Sequence, residues 1–124
     1  MSAVRGIRGA TTVENNCANE IISVTQELLL KIKAENHLNL SDIVSIIFTM
    51  TDDLDAEFPA VAARNLGWNT IPLLCTKEIP VVGSLPKCIR ILMHVNTSKQ
   101  QTEMKPIYLK KAINLRPDQI GEQQ

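Results

Sequence analysis

The stretch Cys88-Ile89-Arg90-Ile91-Leu92-Met93-His94-Val95 limits what this chain can fold into more than any other. It is short, aliphatic and β-branched, which fits a buried strand better than a surface helix. Yet an arginine sits inside it. A guanidinium taken out of water without a partner is strongly disfavoured, so Arg90 must face either an internal carboxylate or a space where an anion arrives. Alternation along a strand puts Arg90 on one face with Cys88, Leu92 and His94, and Ile89, Ile91, Met93 and Val95 on the other. One face is core; the other offers a cation.

The remaining segments supply a sheet for that strand. Residues 3–11 alternate bulky and small side chains, predicting a strand with Val4, Gly6, Arg8 and Ala10 on one face, its glycines marking close backbone approach. Thr11-Thr12-Val13-Glu14 matches a capping box, and Ile21, Val24, Leu28 and Ile32 follow at helical spacing, predicting an amphipathic helix that ends near Asn36-His37. Residues 43–50 read as a central strand closed by Thr51-Asp52-Asp53. Pro59 and Gly67 frame a short helix over 58–66. Residues 70–75 predict a third strand, placed at an edge by Pro72, and 79–87 a turn-rich loop. Residues 98–105 read as polar and exposed, 107–109 as a fifth short strand, and 110–115 as a single turn. The whole is an α+β domain over residues 1–118: a single mixed sheet of about five strands with two helices on one face, and a tail at 119–124. Two helices cannot cover both faces of such a sheet. Packing of sheet against sheet between subunits is the expected solution, with clefts at the subunit boundaries.

Composition narrows the function classes. Thirteen basic and 13 acidic residues give a net charge of +0 and a pI near 6.7, which argues against a nucleic-acid or membrane-surface binder. No apolar run is long enough to span a bilayer and no signal-peptide pattern opens the chain, so a cytoplasmic protein is expected. Three cysteines, Cys17, Cys75 and Cys88, lack metal-ligand spacing and read as free thiols.

Any anion must therefore be met locally. The chain has five arginines, Arg5, Arg8, Arg64, Arg90 and Arg116, scattered on or beside the expected strands and short helix, against eight lysines. Arginine suits bidentate recognition of carboxylates and phosphates, so a convergent set of them reads as a site for a small polyanion. Pairing of each with a nearby acid is the plain alternative. Glu78, at the end of the third strand, either accepts a hydroxyl hydrogen bond or pairs with Arg90. Tyr108, the sole tyrosine, reads by default as a core residue, and Phe58 as core or helix staple. His37 reads as surface; His94 has no arrangement suggesting catalysis. The sequence shows no nucleophile and base pair, no glycine-rich phosphate loop and no metal cluster. Cations with one acceptor suit a reaction that needs orientation and charge stabilisation only.

The opening RGIRGATTVE, the block AEFPAVAARNLGW, the segment PLLCTKEIPVVGSLPKCIRILMHVNT and the ending YLKKAINLRPD together resemble the chorismate mutases of the trimeric α/β type, in order and with similar spacing from Val4 to Asp118. The resemblance implies a ferredoxin-like fold, a homotrimer with a barrel-like β centre, and active sites in clefts between neighbouring subunits. It implies that Arg8 binds a substrate carboxylate and that Phe58 and Arg64 supply an aromatic wall and a second cation from the neighbouring subunit. It also implies that Cys75 and Glu78 contact the ring hydroxyl, that Arg90 lies at the ether oxygen and that Tyr108 bonds a carboxylate. Leu115 and Arg116 fall where the C-terminal segment closes over the site. No cofactor, metal, nucleic acid or membrane is implied; the substrate is chorismate. Val61 departs from members that carry lysine there, which weakens long-range attraction for a dianion. Imine and enamine deaminases on a similar trimeric fold, and a non-catalytic metabolite-binding module, are the competing readings. Glu78, the RGIRGA opening and the LRPD ending speak against the first; only an assay separates the second.

Overall fold

The computed structural model describes residues 2–115. Five strands, β1 (Ala3–Thr12), β2 (Ile43–Met50), β3 (Leu73–Lys77), β4 (Cys88–Thr97) and β5 (Ile107–Tyr108), form one sheet in the order β3-β2-β4-β1-β5. β4 lies at its centre, antiparallel to both β1 and β2, while the outer strands β3 and β5 run parallel to their neighbours. Helices α1 (Ala18–Glu35) and α2 (Ala60–Asn65) are the crossovers, and the sheet is mixed as expected. None of the helices among the described residues is long and apolar enough to cross a membrane.

The periodicity of α1 explains its packing. Ile21, Val24, Leu28, Leu29 and Ile32 recur at helical spacing and are buried: Leu28, Leu29 and Ile32 with Ile7 of β1, Phe48 of β2 and Ile91 and Met93 of β4, and Ile21 and Val24 with Val13, Leu54 and Ile89 of β4. The alanines of α2 allow it to lie close, with Trp68 and Ile71 completing that end of the core. Gly67, at φ 86°, ends α2 in the left-handed conformation that glycine adopts without a Cβ penalty. Arg90's strand alternates as predicted: Ile89, Ile91, Met93 and Val95 are buried, whereas Arg90 and His94 are half-buried and Leu92 is exposed.

Four expectations need correction. The Thr11–Glu14 box does not start the first helix, because β1 stays paired with β4 as far as Thr12 opposite Cys88. The ladder takes the backbone groups that a cap needs, and α1 begins at Ala18 after Cys17, which makes no side-chain cap. The Glu20 carboxylate instead accepts hydrogen bonds from the Glu14 and Asn15 amides, which holds its carboxyl below the usual range. The third strand begins after Pro72 rather than at residue 70: Pro72 has no N–H, although its carbonyl accepts from Ile46 N at 3.1 Å. β3 is nonetheless an edge strand, as predicted. The segment 98–105 is not merely exposed; it contains a short 3-10 turn at Gln101–Glu103 and buries Met104. The buried Asn36 amide ties it down, donating to Lys105 O (3.0 Å) and Ile32 O (3.0 Å) and accepting from Lys105 N (2.8 Å). The fourth correction concerns Phe58, which is 64% exposed and therefore neither core nor buried staple.

Close approach at the glycines holds at Gly9. A Cβ there would lie 2.8 Å from Ile32 Cδ1 and 3.2 Å from Leu28 Cδ1, so α1 rests directly on the β1 backbone. Overpacking a filled core costs about 1–3 kcal/mol, and Gly9→Val is expected at the upper end of that range with Gly9→Ala at the lower end. Urea unfolding at fixed protein concentration checks this; a Gly9→Val midpoint equal to wild type would mean that α1 does not pack here as described.

Candidate active site

The face of the sheet opposite the helices carries the polar groups. Register places Ala10, Arg90, Thr49 and Thr76 side by side across β1, β4, β2 and β3, and Arg8, Leu92, Ile47 and Leu74 in the next row. Leu74 is 60% and Leu92 38% exposed, so the apolar part of this face lacks cover within the chain. A concavity of about 250 Å³ opens on it, lined by Arg8, Thr49, Glu78, Arg90, Leu92 and Tyr108. Four of the predicted site residues thus converge from separate segments.

Arg90 resolves the alternatives left by its sequence in an unexpected way, because it has both a carboxylate and an open space. Its Nε lies 3.4 Å from Glu78 Oε2, close enough for attraction between charges. The geometry is not that of a hydrogen bond, however, and the buried Nε has no aligned acceptor among the described residues. Glu78 is delivered to this spot by its backbone N–H, which donates to Met50 O at 2.9 Å where β3 ends. Tyr108 is half-buried: it packs against the buried Ala10, Cys88 and Ala112 and also lines the concavity, which extends the default reading of a lone tyrosine in an apolar strand. The short β5 pairs with β1 only at Gly9 and Ala10, and that pairing brings the Tyr108 ring beside Arg8's strand.

Thr49 belongs to the cleft and is absent from the sequence reading. Its hydroxyl donates to Glu78 Oε2. The only signal for it was a hydroxyl inside the apolar run IIFTM, uninterpretable until register puts it opposite Arg90.

The other predicted residues lie elsewhere. Cys75 is opposite Phe48 in the ladder and packs against the core, so it points to the helix side of the sheet, away from Arg90. With Phe58 it lines a second concavity of about 370 Å³ beside the outer strand β3. Cys75 and Glu78 are therefore not brought together within one chain. Arg64, at the end of α2, lines a third hollow with Trp68 and Asn69. Leu115 packs beside Tyr108 against Ala10, Cys88 and Ala112, and Arg116 lies outside the described residues, as does the 119–124 tail. His94 shares a 3.1 Å hydrogen bond with Ser45 Oγ on the open face.

Two residues before Arg90 on the same face of β4, Cys88 is 1% exposed. Burial pushes its thiol up from an ordinary 9.0 to about 11, against a smaller downward pull from the Arg90 guanidinium. It acts as a neutral packing group with Ala10 and Ala112. Because the folded protein keeps a proton that the unfolded chain releases above pH 9, stability is complete below that pH and falls as pH rises toward 11. At about 1.4 kcal/mol per pH unit the loss from this group is about 2–3 kcal/mol. Cys88→Ala should flatten that part of the stability profile, measured by denaturant unfolding from pH 8 to 11; an unchanged slope would show that the thiol is not the group responsible.

Comparison with known proteins gives the chain its family and its fold. A family model described as chorismate mutase type I matches residues 4–119. The chain is 47% identical over 116 residues to the chorismate mutase AroH of Bacillus subtilis (strain 168), covering 93% of this chain and 91% of that protein. It is equally identical, over the same length, to the AroH of Thermus thermophilus, of which it covers 95%. A solved chorismate mutase from Clostridium thermocellum superposes with a TM-score of 0.85 at 56% identity, covering 86% of this chain and 96% of the other.

Proposed function

The chain belongs to the chorismate mutase type I family, and from that premise we propose that its arginine-lined cleft converts chorismate to prephenate in aromatic amino-acid biosynthesis. The observation that carries this reading is the convergence of Arg8, Arg90, Glu78 and Tyr108 on one cleft of a chain matched to that family along nearly its whole length. The reaction is a unimolecular pericyclic rearrangement of a dicarboxylate. It needs no nucleophile, proton transfer or cofactor, so the protein's task is to fold the side chain over the ring and stabilise charge as the ether bond breaks.

Each residue has a role in that scheme. Arg8 and Tyr108 hold carboxylate, the first by charge and the second by its phenol O–H. Arg90 faces the ether oxygen, where its Nε, without an aligned protein acceptor, can donate as negative charge grows. Glu78 accepts from the ring hydroxyl. Phe58, Arg64, Cys75, Leu115 and Arg116 complete the enclosure. The division of these groups supports assembly: Phe58 and Cys75 line one concavity and Arg90 another, so one chain holds two partial sites. A homotrimer in which the open faces pack together, and one copy's Phe58, Arg64 and Cys75 meet the next copy's Arg90, makes each site whole and covers Leu74 and Leu92. The domain extends through residue 118, and free thiols suit a cytoplasmic setting.

Steady-state kinetics on purified protein, following the loss of chorismate absorbance, provides the test. An interaction that strengthens in the transition state appears in kcat, and losing a charge at a developing oxyanion costs about 3 kcal/mol or roughly 10²-fold. Arg90→Ala should therefore lower kcat by at least that factor. Arg90→Lys should recover only part, having charge without the planar donor fork, while Arg8→Ala should act mainly on KM. If Arg90→Ala raised KM and left kcat near wild type, Arg90 would be a carboxylate clamp and the scheme would be wrong. Assembly is checked by sedimentation: the active species should have the mass of three chains, and a fully active monomer would exclude sites shared between copies.

A further inference from the structure

We infer that Thr49 is a positioning residue that fixes the rotation of the Glu78 carboxylate and so keeps its two oxygens from engaging Arg90 together; the inference rests on the reaction proposed above. In β2 alternation puts Ser45, Ile47 and Thr49 on the open face, and register puts Thr49 between Arg90 of β4 and Thr76 of β3. Glu78 follows one residue after β3 ends, with its backbone pinned to Met50 O beside Thr49. Its carboxylate is then held on one side only. Oε2 accepts the Thr49 hydroxyl proton and lies 3.4 Å from Arg90 Nε. Among the described residues Oε1 has no hydrogen bond, which leaves it free to accept from a substrate hydroxyl.

The physical reason for such a device lies in the side chains themselves. The terminal torsion of glutamate is soft and roughly two-fold, so a carboxylate next to a guanidinium can turn to present both oxygens to it. That bidentate pairing would occupy the arginine's donors where the ether oxygen should be met. A threonine hydroxyl rotates freely and has a single proton to give; committed to Oε2, it draws that oxygen toward β2. The surroundings make the bond effective, since the Glu78 and Arg90 side chains are 23% and 33% exposed and water competes only in part. The β-branched side chain restricts where the hydroxyl can point, which a longer polar residue would not do.

The test uses Thr49→Val, which keeps the shape and removes the hydroxyl, and Thr49→Ser, which keeps the hydroxyl. Hydrogen bonds to charged groups are worth about 1.5–3 kcal/mol, so Thr49→Val should lose roughly 10- to 100-fold in kcat/KM. Thr49→Ser should stay within about threefold of wild type, by the same reasoning. In a Glu78→Ala background the valine substitution should cost less than about twofold, because the residue it acts through is gone. Equal losses in both backgrounds, or a Thr49→Val enzyme as active as wild type, would overturn the inference. Crystal structures of wild type and Thr49→Val give a readout independent of turnover: the carboxylate should turn toward Arg90 in the variant, and an unmoved Glu78 would overturn the inference as well. A wild-type protein inert toward chorismate, with Glu78 displaced in the variant, would refute the proposed reaction and leave the positioning role standing.

Discussion

Everything in this structure depends on β4 being paired on both edges. Because β1 and β2 flank it antiparallel, its alternation sets the alternation of the whole sheet: the side that takes Ile89, Ile91, Met93 and Val95 is the side that α1 and α2 must cover. The opposite side receives Arg90 with no freedom to rotate it back into the core, since a one-residue slip would expose four large apolar side chains. The arginine is thus held in place by hydrophobic burial on the other face of its own strand.

The cleft around Arg90 is a compromise between attraction and availability. A lone guanidinium on a partly buried sheet face is unfavourable, and Glu78 at 3.4 Å offsets part of that cost. A perfectly matched ion pair would leave nothing for a substrate. The offset geometry, the Thr49 hydroxyl on the shared oxygen and the unaligned Nε keep the cation partly unsatisfied. Such residual dissatisfaction is tolerable because burial elsewhere is thorough: Leu28, Leu29, Ile32, Ile46, Phe48 and Met93 are fully buried behind the sheet.

The open face and the separation of the two concavities have one cause. Two crossover helices on one side leave Leu74 and Leu92 exposed on the other, and the same topology puts Cys75 on the helix side of the edge strand while Glu78, three residues on, reaches the open face. Residues close in sequence are thereby directed into different concavities. Val61 lies on the short helix and does not line the Arg90 cleft, whose lining comes from β1, β2, β4, β5 and the end of β3.

By itself the sequence determined the elements whose periodicity or punctuation is strong. The amphipathic stripe of α1, the alternation of β4, the Gly67 cap and the edge position of β3 follow from local sterics and burial, and the arginine within an apolar strand already demanded an anion. The resemblance carried by RGIRGA, FPAVAAR, CTKE, KCIR and IYL named the family. Tertiary structure decided what local chemistry left ambiguous. Pairing of Thr11 and Thr12 with β4 overrode a good capping box, because a ladder satisfies backbone groups that a helix start leaves unpaired. The short β5 turned Tyr108 into the cleft, and exposure of Phe58 was set by where α2 begins, which no property of phenylalanine foretells. Thr49 reached the cleft only once register brought β2, β3 and β4 together, since contact across strands is a property of pairing and leaves no trace in linear spacing.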